Sequence, residues 1–124
     1  MIRVILVDDQ VNFRTHLRQL VNLAGMEVVG EAGDIPSAEQ IVIALKPDLA
    51  IVDIMLPGIN GIAGTPILKS RAQQMDVILI SAYKDEARNF EALAREAGAV
   101  FFVSKDDLDL ELFHSWAKAH DRFR

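Results

Sequence analysis

The chain has 124 residues, of which 51% are hydrophobic and 25% charged, a composition typical of one folded domain that buries its own core. It contains no cysteine, which excludes disulfide scaffolds, cysteine-ligated zinc or iron–sulfur sites and thiol nucleophiles. The net charge of −5 gives no electrostatic basis for general binding to nucleic acid or to anionic membranes.

Short apolar runs alternate with amphipathic stretches along the whole chain. In chain order they predict a strand at 2–7, a helix at 10–24, a strand at 27–32, a helix at 36–45, a strand at 49–53, a helix at 62–74, a strand at 76–81, a helix at 85–97, a strand at 99–103 and a helix at 106–120. The third helix is weakly indicated, because Gly64 and Pro66 fall within its first turns. Pro66 is predicted to mark the true first turn, where a missing amide is harmless.

Strands that alternate with helices predict a parallel sheet with helices on both faces. We predict an α/β domain spanning residues 1–124: a doubly wound, flavodoxin-like (βα)5 sheet of five parallel strands in the order 2-1-3-4-5. In open sheets of this kind, ligands bind outside the carboxyl ends of the strands, near the point where the strand order reverses. Functional residues are therefore expected at the strand ends.

Polar side chains stand at the ends of four predicted strands: Asp8 and Asp9, Asp53, Ser81 and Lys105. Three carboxylates about 4 Å apart would repel one another by roughly 4 kcal/mol per pair, so such a cluster calls for a cation. An all-oxygen ligand set favours a hard ion such as Mg²⁺. A hydroxyl and an ammonium suit the oxygens of a phosphoryl group, and the central Asp53 is the candidate acceptor, which would form an acyl phosphate.

Each of these residues also has a purely structural interpretation. Asp8 and Asp9 suit the cap of the first helix, and Asp53 precedes a turn. Ser81 and Lys105, taken alone, suit a cap and a solvated charge. The functional interpretation depends on the joint pattern, because four separate strand ends carry matching chemistry.

In this order and spacing, the motifs resemble a bacterial two-component response regulator receiver domain (CheY-like), and the likeness covers essentially the whole chain. It is carried by Val7-Asp8-Asp9, by Asp53 with the following Pro57-Gly58, by Ile80-Ser81-Ala82, and by the stretch 98–105 that ends in Lys105. The segments 27–32 and 46–49 most resemble receivers of the NarL/FixJ type, which are usually followed by a helix-turn-helix domain.

The resemblance implies a role for each matching residue. Asp53 would accept a phosphoryl group from a sensor histidine kinase, and Ser81 and Lys105 would bind the phosphoryl oxygens. Mg²⁺ would be held by Asp9, Asp53 and the backbone carbonyl of Met55, with Asp8 acting directly or through water. Phe102 would be the aromatic switch that reshapes the face formed by the fourth helix, fifth strand and fifth helix. The chain would catalyse only its own phosphorylation and dephosphorylation, so it is not expected to act as an enzyme on an external substrate.

Two other functions stay open. An Asp-nucleophile phosphatase usually has Asp-x-Asp after its first strand, whereas Asp8 and Asp9 are adjacent here and followed by Gln10, which argues against it. A constitutive, non-phosphorylated receiver-like binding module would keep the fold without the chemistry.

The resemblance and the composition give further expectations. A homodimer through the last helix and a C-terminal DNA-binding output domain, absent from this chain, are candidate partners. We expect no membrane partner and a cytoplasmic location, because no apolar run approaches roughly 18 residues and the N-terminus does not read as a signal peptide. His16, His114 and His120 lack a second ligand at metal spacing and are predicted to be solvated. Met55 and Tyr83 are predicted to shield the acyl phosphate from water.

Overall fold

A computed structural model of the chain describes residues 1–82 and 87–123. Its five strands are β1 (Arg3–Val7), β2 (Glu27–Ala32), β3 (Leu49–Asp53), β4 (Asp76–Ser81) and β5 (Phe101–Ser104). Its five α-helices are α1 (Val11–Leu23), α2 (Ile35–Leu45), α3 (Gly61–Arg71), α4 (Ala87–Ala97) and α5 (Leu110–Phe123). The predicted start of the fourth helix, at residues 85 and 86, lies outside the described residues.

The strands form one parallel sheet in the order β2-β1-β3-β4-β5, which confirms the predicted topology. The chain reverses its direction of winding between β1 and β3, so the crevice of the fold opens at the carboxyl ends of these two strands. Val7 is paired with Val52 there, and residues 8 and 53 therefore leave the sheet at the same level.

Strand side chains alternate between two apolar clusters, one on each face of the sheet. Val7 and Val52 face the cluster completed by α2, α3 and α4, whereas Leu6 and Ile51 face the one completed by α1 and α5. Burial on both faces explains why the inner strands β1, β3 and β4 read as nearly unbroken apolar runs. Among the described helices, none combines the length and the hydropathy that a membrane span requires.

The start of α3 differs from the prediction. The Asn60 side chain caps the helix by accepting a hydrogen bond from the Ala63 amide at 2.9 Å, so the helix begins at Gly61. The prediction that Pro66 marks the first turn was wrong: it lies inside the helix, where no amide is available for the Ile62 carbonyl. Gly64 is needed for packing, since an added Cβ would lie 2.3 Å from the Ile35 side chain on α2.

The C-terminal region also departs from the prediction. β5 begins at Phe101 rather than residue 99, and a short 3₁₀ turn, Lys105–Asp107, separates it from α5. The predicted helix start at residue 106 was wrong, because Asp109 supplies the cap by accepting from the Leu112 amide at 2.8 Å. The turn places Lys105 directly at the end of the strand.

Candidate functional site

Three carboxylates meet at the carboxyl ends of β1 and β3. Asp8 and Asp9 follow β1, Asp53 is the last residue of β3, and one oxygen from each lies within 4.8 Å of the others. Asp8 is fully buried and Asp53 is 3% exposed, while Asp9 is exposed to solvent. The two strand ends therefore form a cluster of acidic groups in which Asp8 and Asp53 are buried and Asp9 is exposed to solvent.

The Lys105 ammonium bridges the two buried acids. Its Nζ lies 2.8 Å from Asp8 Oδ2 and 3.1 Å from Asp53 Oδ2, and its side chain is 9% exposed. Asp8 Oδ2 is paired by charge with this ammonium, yet it accepts no hydrogen bond of good geometry among the described residues. Among the described residues, one positive charge thus faces three carboxylates, which leaves this cluster with an excess of negative charge.

The environment changes the pKa of both partners of this ion pair. Burial raises the pKa of Asp53, and the Met55 amide, which donates to Asp53 Oδ1 at 3.0 Å, and Lys105 offset only part of that rise. Burial alone would lower the pKa of Lys105, but its contacts with Asp8 and Asp53 outweigh burial and raise it. Lys105 therefore keeps its positive charge, and a further cation would stabilise the charged form of the buried Asp53 carboxylate.

The loop after β3 is fixed by the start of α3. The amides of Leu56 and Gly61 both donate to the Ile54 carbonyl, at 3.1 and 2.9 Å. A Cβ on Gly61 would lie 2.4 Å from the Asp53 carbonyl oxygen, so the helix approaches the strand end more closely than any other residue type permits. This packing holds the backbone of Met55 beside the Asp53 side chain.

Ser81 lies on β4, the strand next to Asp53, and Phe102 lies on β5, one strand further out. Ser81 is buried at the end of β4, one residue beyond Ile80, which pairs with Asp53. Phe102 lies on β5 and is half-buried, with its ring edge-on to Phe90 of α4 at a centroid distance of 6.1 Å. Strand pairing therefore puts Ser81 at the same edge as the acids, whereas Phe102 lies two residues before the end of β5, in contact with α4.

Shielding of the acceptor by Met55 and Tyr83 stays a prediction. Met55 is 49% exposed beside Asp53, and Tyr83 lies outside the described residues.

The prediction that all three histidines are solvated was wrong for one of them. His16 and His114 are exposed, but the His120 side chain is 11% exposed, with Nδ1 3.6 Å from Asp76 Oδ2, because α5 covers the start of β4.

Two residues of α1, which the sequence pattern did not assign to the site, contact it. The Phe13 ring centroid lies 4.1 Å from Lys105 Nζ. Arg14 donates from Nη1 to the Asp8 carbonyl at 2.6 Å and pairs through Nε with Glu31 at 3.2 Å. A basic residue one turn after an acidic pair was the available signal for Arg14, whereas Phe13 reads simply as a member of the apolar stripe of the helix.

Comparison with known proteins gives a consistent result. Residues 4–115 match the family model described as the response regulator receiver domain. The chain is 37% identical over 116 residues to the DNA-binding transcriptional activator DevR/DosR of Mycobacterium tuberculosis, covering 90% of this chain and 51% of that protein. It is 35% identical over 108 residues to protein-glutamate methylesterase/protein-glutamine glutaminase 1 of Dechloromonas aromatica, covering 86% of this chain and 31% of that protein.

A solved structure gives the same likeness in three dimensions. The signal receiver domain of the response regulator NarL from Mycobacterium tuberculosis superposes with a TM-score of 0.85 at 30% identity, covering 99% of this chain and 98% of that one. The response regulator domain of Thermotoga maritima CheB gives a TM-score of 0.80 at 30% identity, covering 98% and 95%. The chain thus spans almost the whole of these isolated domains, but between 31% and 51% of the two curated relatives.

Proposed function

The chain belongs to the response regulator receiver family of two-component signalling, and on that basis we propose that Asp53 accepts a phosphoryl group from a sensor histidine kinase. The observation that carries the proposal is the position of Asp53. Its carboxylate lies within 4.8 Å of those of Asp8 and Asp9 and in contact with a buried ammonium, at the edge of the sheet where this fold binds ligands.

The metal that we propose for the site is Mg²⁺. Asp8, Asp9, Asp53 and the backbone carbonyl of Met55 would hold it, with Asp8 acting directly or through a water molecule. The donor set fits a hard cation: the side-chain donors are all carboxylates, and among the described residues the Lys105 ammonium balances only one of their three negative charges. When bound, Mg²⁺ would neutralise part of the negative charge on the phosphoryl oxygens.

The chain's own side chains would do the rest of the work. A carboxylate oxygen of Asp53 bonds to phosphorus as the P–N bond of the kinase phosphohistidine breaks, and the bonding electrons leave with the imidazole. Lys105 contacts Asp53 Oδ2 at 3.1 Å, so its ammonium is placed to bind a negatively charged phosphoryl oxygen once the bond has formed. Ser81, at the end of the adjacent strand, would bind another of those oxygens.

The phosphoryl group would then act as a switch. It adds about −1.5 to −2 of charge and three acceptor oxygens, which draw Ser81 and Lys105 towards Asp53. Phe102, half-buried against Phe90 of α4, would turn inward as Ser81 moves, and this would reshape the α4–β5–α5 face for a partner.

The partner of that face belongs to the whole regulator. Two relatives are named as a DNA-binding transcriptional activator and as a protein-glutamate methylesterase, and this chain spans only 51% and 31% of their respective lengths. We infer a cytoplasmic receiver that controls a DNA-binding output domain of the NarL type, with a homodimer through α5 as a second mode of output.

The decisive experiment measures intact mass after incubation with Mg²⁺ and acetyl phosphate. The wild type should gain one phosphoryl group, Asp53→Asn none, and chelation with EDTA should prevent the gain. Asp48→Asn is the matched control, because Asp48 lies at the other end of β3 and accepts a hydrogen bond from the Arg3 amide that Asn preserves. Modification of Asp53→Asn, or none of the wild type, would contradict the proposal.

The same samples separate the two alternatives. A constitutive binding module would neither gain mass nor bind Mg²⁺ in a calorimetric titration. A phosphatase would release phosphate catalytically from a generic phosphate ester such as p-nitrophenyl phosphate, and Asp53→Asn would abolish that turnover.

A further inference from the structure

The apolar stripe of α1 continues past the core and ends at the acidic site. Leu17, Leu20 and Val21 are buried beneath the sheet, and Phe13 is the member of the same stripe one turn nearer the carboxyl ends of the strands. Phe13 is half-buried, and its ring centroid lies 4.1 Å from Lys105 Nζ. The sequence spacing that makes Phe13 look like a core residue thus brings an aromatic face over the ammonium.

Within the described part of the chain, three groups lie beside the ammonium. Two are carboxylate oxygens, Asp8 Oδ2 at 2.8 Å and Asp53 Oδ2 at 3.1 Å, and the third is the Phe13 ring. A cation within about 6 Å of a ring centroid is attracted by the negative face of the ring, and more strongly where water is excluded. The Lys105 side chain is 9% exposed, so the ring acts on a largely dehydrated charge.

We propose that Phe13 is a positioning residue for Lys105: its aromatic face holds the ammonium at the acceptor end of the sheet, ready for the incoming phosphoryl oxygens. Lysine has a flexible four-carbon stem, and a point charge on such a stem is well placed only when its surroundings limit its rotamers. The two carboxylates attract the ammonium, and the ring packs against it in place of water. This inference rests on the proposed function, because it assigns Phe13 a part in the same reaction.

The role belongs to the aromatic face rather than to apolar bulk. Leucine at residue 13 keeps an apolar side chain on the α1 stripe but has no negative face for the cation. Tyrosine and tryptophan keep that face, and tryptophan has the strongest of the three. Comparing these variants therefore separates attraction of the ammonium from simple packing.

The experiment measures the rate constant of phosphorylation by acetyl phosphate at saturating Mg²⁺, using intact mass. Phe13→Leu should react about two- to thirtyfold more slowly than the wild type, the range that one cation–π contact supplies. Phe13→Tyr and Phe13→Trp should stay within about twofold of the wild type and react faster than Phe13→Leu. Leu20→Val, on the same stripe but in the core, is the matched control for a general loss of packing and should also keep its rate.

A second measurement detects the contact itself without any reaction. The ε-methylene protons of Lys105 should show an upfield ring-current shift in the NMR spectrum of the wild type, of Phe13→Tyr and of Phe13→Trp, and lose it in Phe13→Leu. An unperturbed rate in Phe13→Leu, or equally slow aromatic variants, would overturn the positioning role even if the wild type is phosphorylated. Failure of the wild type to react at all would instead remove the proposed function and this inference with it.

Discussion

Removal of the Lys105 ammonium tests the electrostatic description of the site most directly. Lys105→Met keeps most of the aliphatic stem but leaves the buried Asp8 and Asp53 without the cation that bridges them at 2.8 and 3.1 Å. Breaking a buried ion pair by deleting one partner costs about 3–5 kcal/mol, because a charge remains in a poorly solvated place. The carboxylates are almost fully buried, so screening by solvent reduces this cost little.

The assay is urea unfolding at pH 7 in EDTA, followed by circular dichroism. Lys105→Met should lower the free energy of unfolding by about 3–5 kcal/mol, with an unchanged m-value. Lys118→Met, at an exposed lysine of α5, is the matched control and should change stability by less than about 0.5 kcal/mol.

A double variant checks the cause of the loss. Adding Asp8→Asn to Lys105→Met removes one of the stranded charges, while the Asn oxygen still accepts the Gln10 amide that now donates to Asp8 Oδ1 at 2.8 Å. The double variant should therefore be at least about 1 kcal/mol more stable than Lys105→Met alone. A Lys105→Met protein within about 1 kcal/mol of the wild type, or a double variant that gains nothing, would refute the reasoning.

Three further predictions concern the acceptor and the loop that holds it. Burial raises the pKa of Asp53 above its ordinary value of 3.8, so the stability linked to this group is present at low pH and is lost as the pH rises through the folded pKa. The urea midpoint of Asp53→Asn, measured in EDTA, should therefore rise relative to that of the wild type as the pH increases from about 4 to 7. A difference that does not change with pH would contradict this. In the same urea assay with EDTA left out, Mg²⁺ at 100 times its dissociation constant should stabilise the wild type by about 2.7 kcal/mol and leave Asp53→Asn much less affected; equal stabilisation of both would exclude Asp53 as a ligand. Gly61→Ala should slow phosphorylation and lower the melting temperature, because its Cβ would lie 2.4 Å from the Asp53 carbonyl oxygen. Gly58→Ala, whose Cβ meets no atom within 4 Å, should cost only the strain of its φ of +74°, about 1 kcal/mol, and keep the rate.

Much of the candidate site followed from the sequence because one rule of the fold needs no side-chain detail. Parallel strands end at a common edge, so residue types at the strand ends predict which groups meet. Asp8, Asp53 and Lys105 were grouped in this way, and they lie within ion-pair distance. Phe13 was not added to them, because its contact with Lys105 joins two elements that are remote in the chain and leaves no local pattern.

The sequence by itself determined the class of fold and the residue types at the strand ends, since periodicity and residue type are local properties. The strand order was predicted as the flavodoxin-like arrangement for five such units, and the structure confirms it. The tertiary structure decided which of two adjacent acids is buried, Asp8, and which is exposed, Asp9. It also decided that Pro66 lies within α3 and that His120 is covered by packing against β4. Burial and cap choice depend on contacts between segments far apart along the chain, and those contacts exist only once the sheet and its helices have assembled.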